Sequence, residues 1–183
     1  MKLKKLIAIA ALLVTATLAI ADDDPYAEDR QQLRAILADS ERAINEQNID
    51  QFASYIEESA RVTWLDGEVS VGPEGVKSYF KRMVGKSPDT TLSKYITHAQ
   101  VTGHARFYGD VAIANGTMED EFTPHQRSPF KLHSNWTVAF VKKDDSWKII
   151  SLNFSTNVFN NPLMDELRQQ KKPDSKPNCN SKK

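Results

Sequence analysis

Cysteine is almost absent: the chain of 183 residues has one, Cys179. That excludes a disulfide framework and any zinc or iron–sulfur site built from cysteines. Glycine and proline are scarce, at seven and eight residues, which excludes a collagen-like or low-complexity protein. There is no excess of one charge, with 24 basic against 24 acidic side chains, so the chain is not a polyelectrolyte. No G-x-G-x-x-G, P-loop, G-x-S-x-G or H-E-x-x-H motif occurs. What remains is a 40% hydrophobic chain, long enough for one domain with a full core and cramped for two.

The long apolar run lies at the start. Lys2, Lys4 and Lys5 precede an uncharged stretch from Leu6 to Ile20, and Ala19-Ile20-Ala21 has the small residues of a cleavage site. This pattern predicts a secretory signal peptide over residues 1–21. The run of about 15 residues is shorter than the roughly 20 that span a bilayer. No later segment is apolar enough to span, so the expected product has no transmembrane anchor and is exported, periplasmic or secreted. Without the leader, 21 basic face 24 acidic side chains, and residues 168–183 carry a net +5. Residues 22–167 are then a domain of net charge −8. An acidic body argues against nucleic acid as a partner, because phosphate neutralisation needs a basic face. The basic tail has no apolar periodicity and reads as a solvated end. Its sharper reading is a tether to an anionic surface. Cys179 falls in this tail and is a poor nucleophile there.

Asp24-Pro25 predicts a helix start, and Leu33, Ile36, Leu37, Ser40 and Ile44 follow helical spacing, giving a helix over about 25–46. A short helix around Phe52 to Ile56, a strand over 61–65, an Asp66-Gly67 turn, a second strand at Val69–Val71 and a third helix from Gly72-Pro73 follow. Four long strands are then expected, at 92–107, 110–122, 130–141 and 147–159. Helices first and an antiparallel meander afterwards predict an α+β domain.

The order of these elements resembles the nuclear transport factor 2-like superfamily, which includes SnoaL-like domains, ketosteroid isomerases and scytalone dehydratase. The residues that carry the resemblance are Asn48-Ile49-Asp50 at the helix break, Arg61 to Gly67 as first strand and turn, and Gly72-Pro73-Glu74-Gly75-Val76 opening the third helix. Asp144-Asp145-Ser146-Trp147-Lys148-Ile149 matches the last hairpin. The likeness spans about Arg30 to Phe159. It implies a cone: a curved antiparallel sheet wrapped around the N-terminal helices, with a largely apolar pocket at the open end. It also implies that function resides in that pocket, and that homodimers through the sheet are common. No metal or other cofactor is expected.

Alternation along the strands sorts the candidates. On the last strand Trp147, Ile149, Ser151, Asn153 and Ser155 share a face. Relatives often carry histidines where this chain has Ser151 and Asn153, and serine and asparagine cannot act as neutral-pH bases. They remain suited to orienting a ligand. On the strand from Asp110, Asn115, Thr117, Glu119 and Glu121 share one face; Ala112, Ala114, Gly116, Met118 and Phe122 share the other. If the first face points inward, Glu119 is the acid–base candidate; otherwise Glu119-Asp120-Glu121 is a solvated rim. Asp66 is a second carboxylate candidate, since a carboxylate near this hairpin resembles the general base of ketosteroid isomerases; the plainer reading, which the residues favour, is an Asp-Gly turn. Trp64 reads as a pocket wall or as core. His98 and His104, six residues apart on one strand, are about 20 Å apart and cannot share a metal ion; a His125–His133 pair is the remaining possibility. The sequons at Asn115, Asn135 and Asn153 fall in predicted strands and read as chance matches. Three functions follow as expectations: binding of a small, partly apolar molecule; isomerase, cyclase or dehydratase chemistry on a pocket carboxylate; or an assembly module with Trp136, Val138 and Phe140 on one sheet face and Thr137, Ala139 and Val141 on the other.

Overall fold

The computed structural model describes residues 24–157. The leader reading, the tail and Cys179 lie outside the described residues. The chain opens with helix α1 (Ala27–Asn45), the short helix α2 (Ile49–Ala53), strands β1 (Ile56–Thr63) and β2 (Val69–Val71), and helix α3 (Gly72–Met83). Strands β3 (Leu92–Val101), β4 (Arg106–Tyr108), β5 (Val111–Pro124), β6 (Phe130–Lys143) and β7 (Ser146–Thr156) follow. The sheet runs β2-β1-β7-β6-β5-β3, with β4 on β5. Its pairings are antiparallel except for β1 beside β7, which run parallel. The α+β architecture is the one expected. No helix among the described residues is long and apolar enough to cross a membrane.

Local chemistry sets the boundaries. Asp24 accepts a hydrogen bond from the Tyr26 N–H through its side chain (3.0 Å) and from the Ala27 N–H through its carbonyl (3.0 Å), so a turn precedes α1. Gln47 closes α1 in the left-handed region, φ +59°, and Asn48 caps α2. β1 starts at Ile56, five residues earlier than β-branched content suggests. Ile56-Glu57-Glu58-Ser59-Ala60 has poor strand propensity but pairs with β7, where Ile56 lies opposite Ile149; tertiary pairing outweighs propensity. The single strand expected over 92–107 is broken at residues 102–105, where Gly103 takes φ +75°. The chain then resumes as β4.

The largest correction concerns β7. Ser151 lies opposite Ala139 while Ile149 lies opposite Phe140, so Ile150 is an extra residue, a bulge. One inserted residue reverses the alternation beyond it. Trp147 and Ile149 point into the core, and then Leu152 does, while Asn153 and Ser155 face outward and are exposed, with Ser151 half-buried beside them. On β5 the buried face is Ala112, Ala114, Gly116, Met118 and Asp120, so Thr117 and Glu119 point away from the core.

α1 covers the free edge of β3. Asn45 donates to the Thr97 carbonyl (2.9 Å) and accepts from the Thr97 N–H (2.8 Å). Glu41 Oε2 accepts from the Ala99 N–H (3.0 Å). These bonds satisfy backbone groups that an edge strand would otherwise expose. At its other end α1 is latched by Asp29, whose Oδ1 accepts from Lys142 Nζ (2.8 Å) and from the Trp147 indole N–H (2.9 Å). The Lys142 hydrogen bond, aided by Trp147, holds the Asp29 carboxyl below its ordinary value of 3.8 against the opposing effect of burial. A depressed carboxyl adds stability that is complete above the unfolded value and is lost as pH falls through the folded one. Asp29→Asn is therefore expected to cost about 1–2 kcal/mol at pH 7. Its melting temperature should also fall less steeply than that of the native chain below pH 4. Parallel melting curves from pH 6 to pH 2 would show that the latch carries no charge-linked stability.

Candidate functional site

A cavity of about 250 Å³ lies between the inner face of α1 and the concave side of the sheet. Its wall is mainly apolar. α1 supplies Leu33, Ile36, Leu37 and Ile44; β6 supplies Trp136, Val138 and Phe140; Leu152 and Phe154 of β7 close the far side. Ala114 and Met118 of β5 form the floor between them. Small side chains and the break after β3 leave the hollow: Ala99, Gly103 and Ala105 line it where longer residues would fill it.

Six polar or charged residues share this wall: Arg30, Arg34, Ser40, Glu41, Thr97 and His104. Their engagement differs. Arg30 is bound: it donates to Asp24 (2.7 Å) and to the Ala105 carbonyl (2.5 Å), and its guanidinium lies 4.9 Å from the Phe107 ring centre. Glu41 is bound too, with Oε2 on the Ala99 N–H and Oε1 3.3 Å from His98 Nδ1. Arg34 is exposed and has no hydrogen bond or ion pair among the described residues. The Ser40 hydroxyl is buried with no hydrogen-bond partner. A serine in a helix commonly bonds back to a carbonyl one turn earlier; Ser40 does not.

Thr97 connects the cavity to a buried carboxylate. Asp120, 1% exposed, lies opposite Thr97 in the ladder. It accepts hydrogen bonds from three hydroxyls: Tyr95 (2.7 Å), Thr97 (2.8 Å) and Ser134 (2.5 Å). Burial, and then the negative charge of Asp120, raise the Tyr95 hydroxyl well above the ordinary tyrosine value, so Tyr95 stays a donor. Sequence reading missed Asp120, although it stands in phase with Ala112, Ala114, Gly116 and Met118. A lone charge on an otherwise apolar face was the available signal.

The cavity wall contains none of the eight residues singled out from sequence. Glu119 projects from the outer face with its side chain 66% exposed, 4.0 Å from His133 Nδ1. Asn115, Thr117, Ser151, Asn153 and Ser155 lie on that outer face as well, where Asn153 Nδ2 donates to Ser151 Oγ (3.3 Å). Asp66 sits in the β1–β2 turn, accepting from the Tyr79 hydroxyl (3.0 Å) and the Glu68 N–H (2.9 Å). Trp64 is buried behind the wall: it donates to Ser70 (2.8 Å) and stacks on Tyr79 (4.3 Å) and on Phe154 (5.7 Å). The described residues contain no group of three potential metal ligands.

A helical layer held against a curved, unclosed sheet, with a hollow between them, defines the nuclear transport factor 2-like class of fold. Within it the chain belongs to the SnoaL-like domain family, whose model matches residues 33–159. Solved structures agree on the fold. A hexachlorocyclohexane dehydrochlorinase, LinA type 2, superposes with a TM-score of 0.62 at 17% identity, covering 71% of this chain and 86% of that one. A putative scytalone dehydratase from Novosphingobium aromaticivorans gives 0.60 at 13% identity, covering 71% and 85%. A cystatin-like domain of unknown function from Nostoc punctiforme gives 0.60 at 18% identity, covering 79% and 85%. None of the curated proteins matches the sequence.

Proposed function

We propose that the chain is an exported SnoaL-like protein that binds a small, largely apolar molecule in the cavity under α1. The observation that carries this reading is an apolar hollow holding an unpartnered, buried Ser40 hydroxyl. A buried hydroxyl without a partner costs about 1–3 kcal/mol, which a hydrogen-bonding ligand recovers. The leader-like residues 1–21 support export. Size supports the class of ligand: an apolar cavity of about 150 Å³ holds benzene, so about 250 Å³ suits one to two rings. Binding fits better than proton abstraction because the nearby carboxylates are engaged, Glu41 by the edge of β3 and Asp120 by three hydroxyls.

A panel of one- and two-ring compounds followed by thermal shift tests the proposal. A ligand at a hundredfold excess over its Kd is expected to add about 2.7 kcal/mol and to perturb the fluorescence of Trp136, which lines the wall. Ala114→Leu, which fills the floor, is expected to fold and to lose both responses. A panel without a shift in the native chain, or shifts that persist unchanged in Ala114→Leu, would overturn it.

A further inference from the structure

Resting on that reading, we infer that the ligand is a small carboxylate. Its acid group meets Arg34 at the cavity mouth, and its far end presents a hydrogen-bonding atom to Ser40. α1 lines the cavity with one stripe running from Arg30 and Arg34 through Leu37 to Ser40 and Ile44. At 1.5 Å per residue, the six steps from Arg34 to Ser40 separate the two backbone positions by about 9 Å along the helix axis, with apolar wall between them. The two ends differ in charge. Arg30 and Arg34 stand one turn apart, a like-charge pair that is unfavourable on a helix surface. Asp24 relieves Arg30, and nothing among the described residues relieves Arg34. His104, from the break between β3 and β4, lines the same mouth and adds a second nitrogen donor. At the inner end the buried Ser40 hydroxyl is a neutral hydrogen-bonding group, whereas Arg34 at the exposed end is a cation without a partner among the described residues. The acid group is therefore favoured at Arg34 and a neutral group at Ser40, so the ligand has one orientation. A planar guanidinium matches a carboxylate through two parallel hydrogen bonds.

The fitting probe is 6-hydroxy-2-naphthoate, two fused rings with a hydroxyl at one end and a carboxylate at the other. Its neutral partner is 6-hydroxy-2-naphthamide. Titration calorimetry on the full chain is expected to show the carboxylate binding at least tenfold tighter than the amide. Arg34→Gln should bring the carboxylate down to the amide's affinity. Ser40→Ala should weaken 6-hydroxy-2-naphthoate severalfold and leave 2-naphthoate, which lacks the hydroxyl, within twofold. Ala114→Leu should abolish binding of every probe, which separates the cavity from the basic residues outside it. Equal affinity of carboxylate and amide for the native chain would overturn the acid preference while leaving cavity binding intact. Unchanged selectivity in Arg34→Gln would overturn the role of Arg34. No binding of either probe, or of any compound in the wider panel, would overturn both readings.

Discussion

Replacing Asp120 by alanine is expected to destabilise the fold by about 3–5 kcal/mol, the combined cost of three buried or half-buried hydroxyls losing their acceptor. The reason is arithmetic of donors. The hydroxyls of Tyr95, Thr97 and Ser134 all aim at one carboxylate, and each buried group left without an acceptor costs about 1–3 kcal/mol. The sum is partly offset where a hydroxyl rotates to a backbone carbonyl. Asp120→Asn should be milder, because its amide oxygen still accepts and its NH2 can donate to the free lone pairs of Ser134. Urea denaturation of the three proteins checks the order. A loss below about 1 kcal/mol in the alanine variant would mean that the hydroxyls find other partners and that the network does not secure the β3–β5–β6 region. The position matters for the site as well, since Thr97 lines the cavity and is held by both Asp120 and Asn45. Loss of Asp120 should therefore loosen the wall beside Ala99 before it loosens α3.

Much of this architecture was legible in the residues. Helical spacing from Leu33 to Ile44, the Asn48 break and the Asp66-Gly67 and Asp144-Asp145 turns located the elements to within a few residues. β1 and the break after Val101 were the exceptions. The site was far less legible, for two physical reasons. Side-chain direction on a strand has a period of two, so the single extra residue at Ile150 sends Ser151, Asn153 and Ser155 to the other face. Nothing in the composition of Ile149-Ile150-Ser151 marks a bulge; it arises where β7 pairs with β6 on one side and β1 on the other, and both ladders shift there. The second reason is that a cavity is made by what distant small residues fail to fill. Ala99, Ala105 and Ala114 are ordinary alone and form a hollow only when α1 is laid over them. On β5 the rule of alternation was sufficient. The apolar set Ala112, Ala114, Gly116 and Met118 marked the inner face, and continuing it by two residues reaches Asp120 rather than Glu119.

Gly116→Ala is expected to be the other severely destabilising change, by about 3 kcal/mol, at the upper end of the usual cost of overpacking. On general grounds the substitution would be favourable, since alanine loses less backbone entropy on folding and glycine weakens a strand interior. Local geometry reverses the sign. Gly116 lies in the middle of β5, paired with Val101 on one side and Trp136 on the other. A Cβ there would overlap the Gln100 carbonyl oxygen and stand 2.5 Å from Trp136 Cζ2 and 2.7 Å from Cε2. The indole lies across the glycine because its Nε1 donates to the Thr117 carbonyl (3.1 Å), which fixes the ring as part of the cavity wall. The variant must therefore part β3 from β5 at residue 100, and it either pushes the indole into the hollow as well or leaves the ring in place at the cost of a wider strand separation. Urea denaturation combined with probe binding distinguishes these outcomes. Displacement of the indole abolishes binding in whatever fraction stays folded, whereas strand separation alone lowers stability and leaves the affinity of the folded fraction unchanged. Trimming the ring in a Gly116→Ala/Trp136→Leu double variant should restore part of the loss at most, because the overlap with the Gln100 backbone remains. Full restoration would assign the whole cost to the indole, and a neutral single variant would mean that β3 and β5 can part at residue 100 without cost.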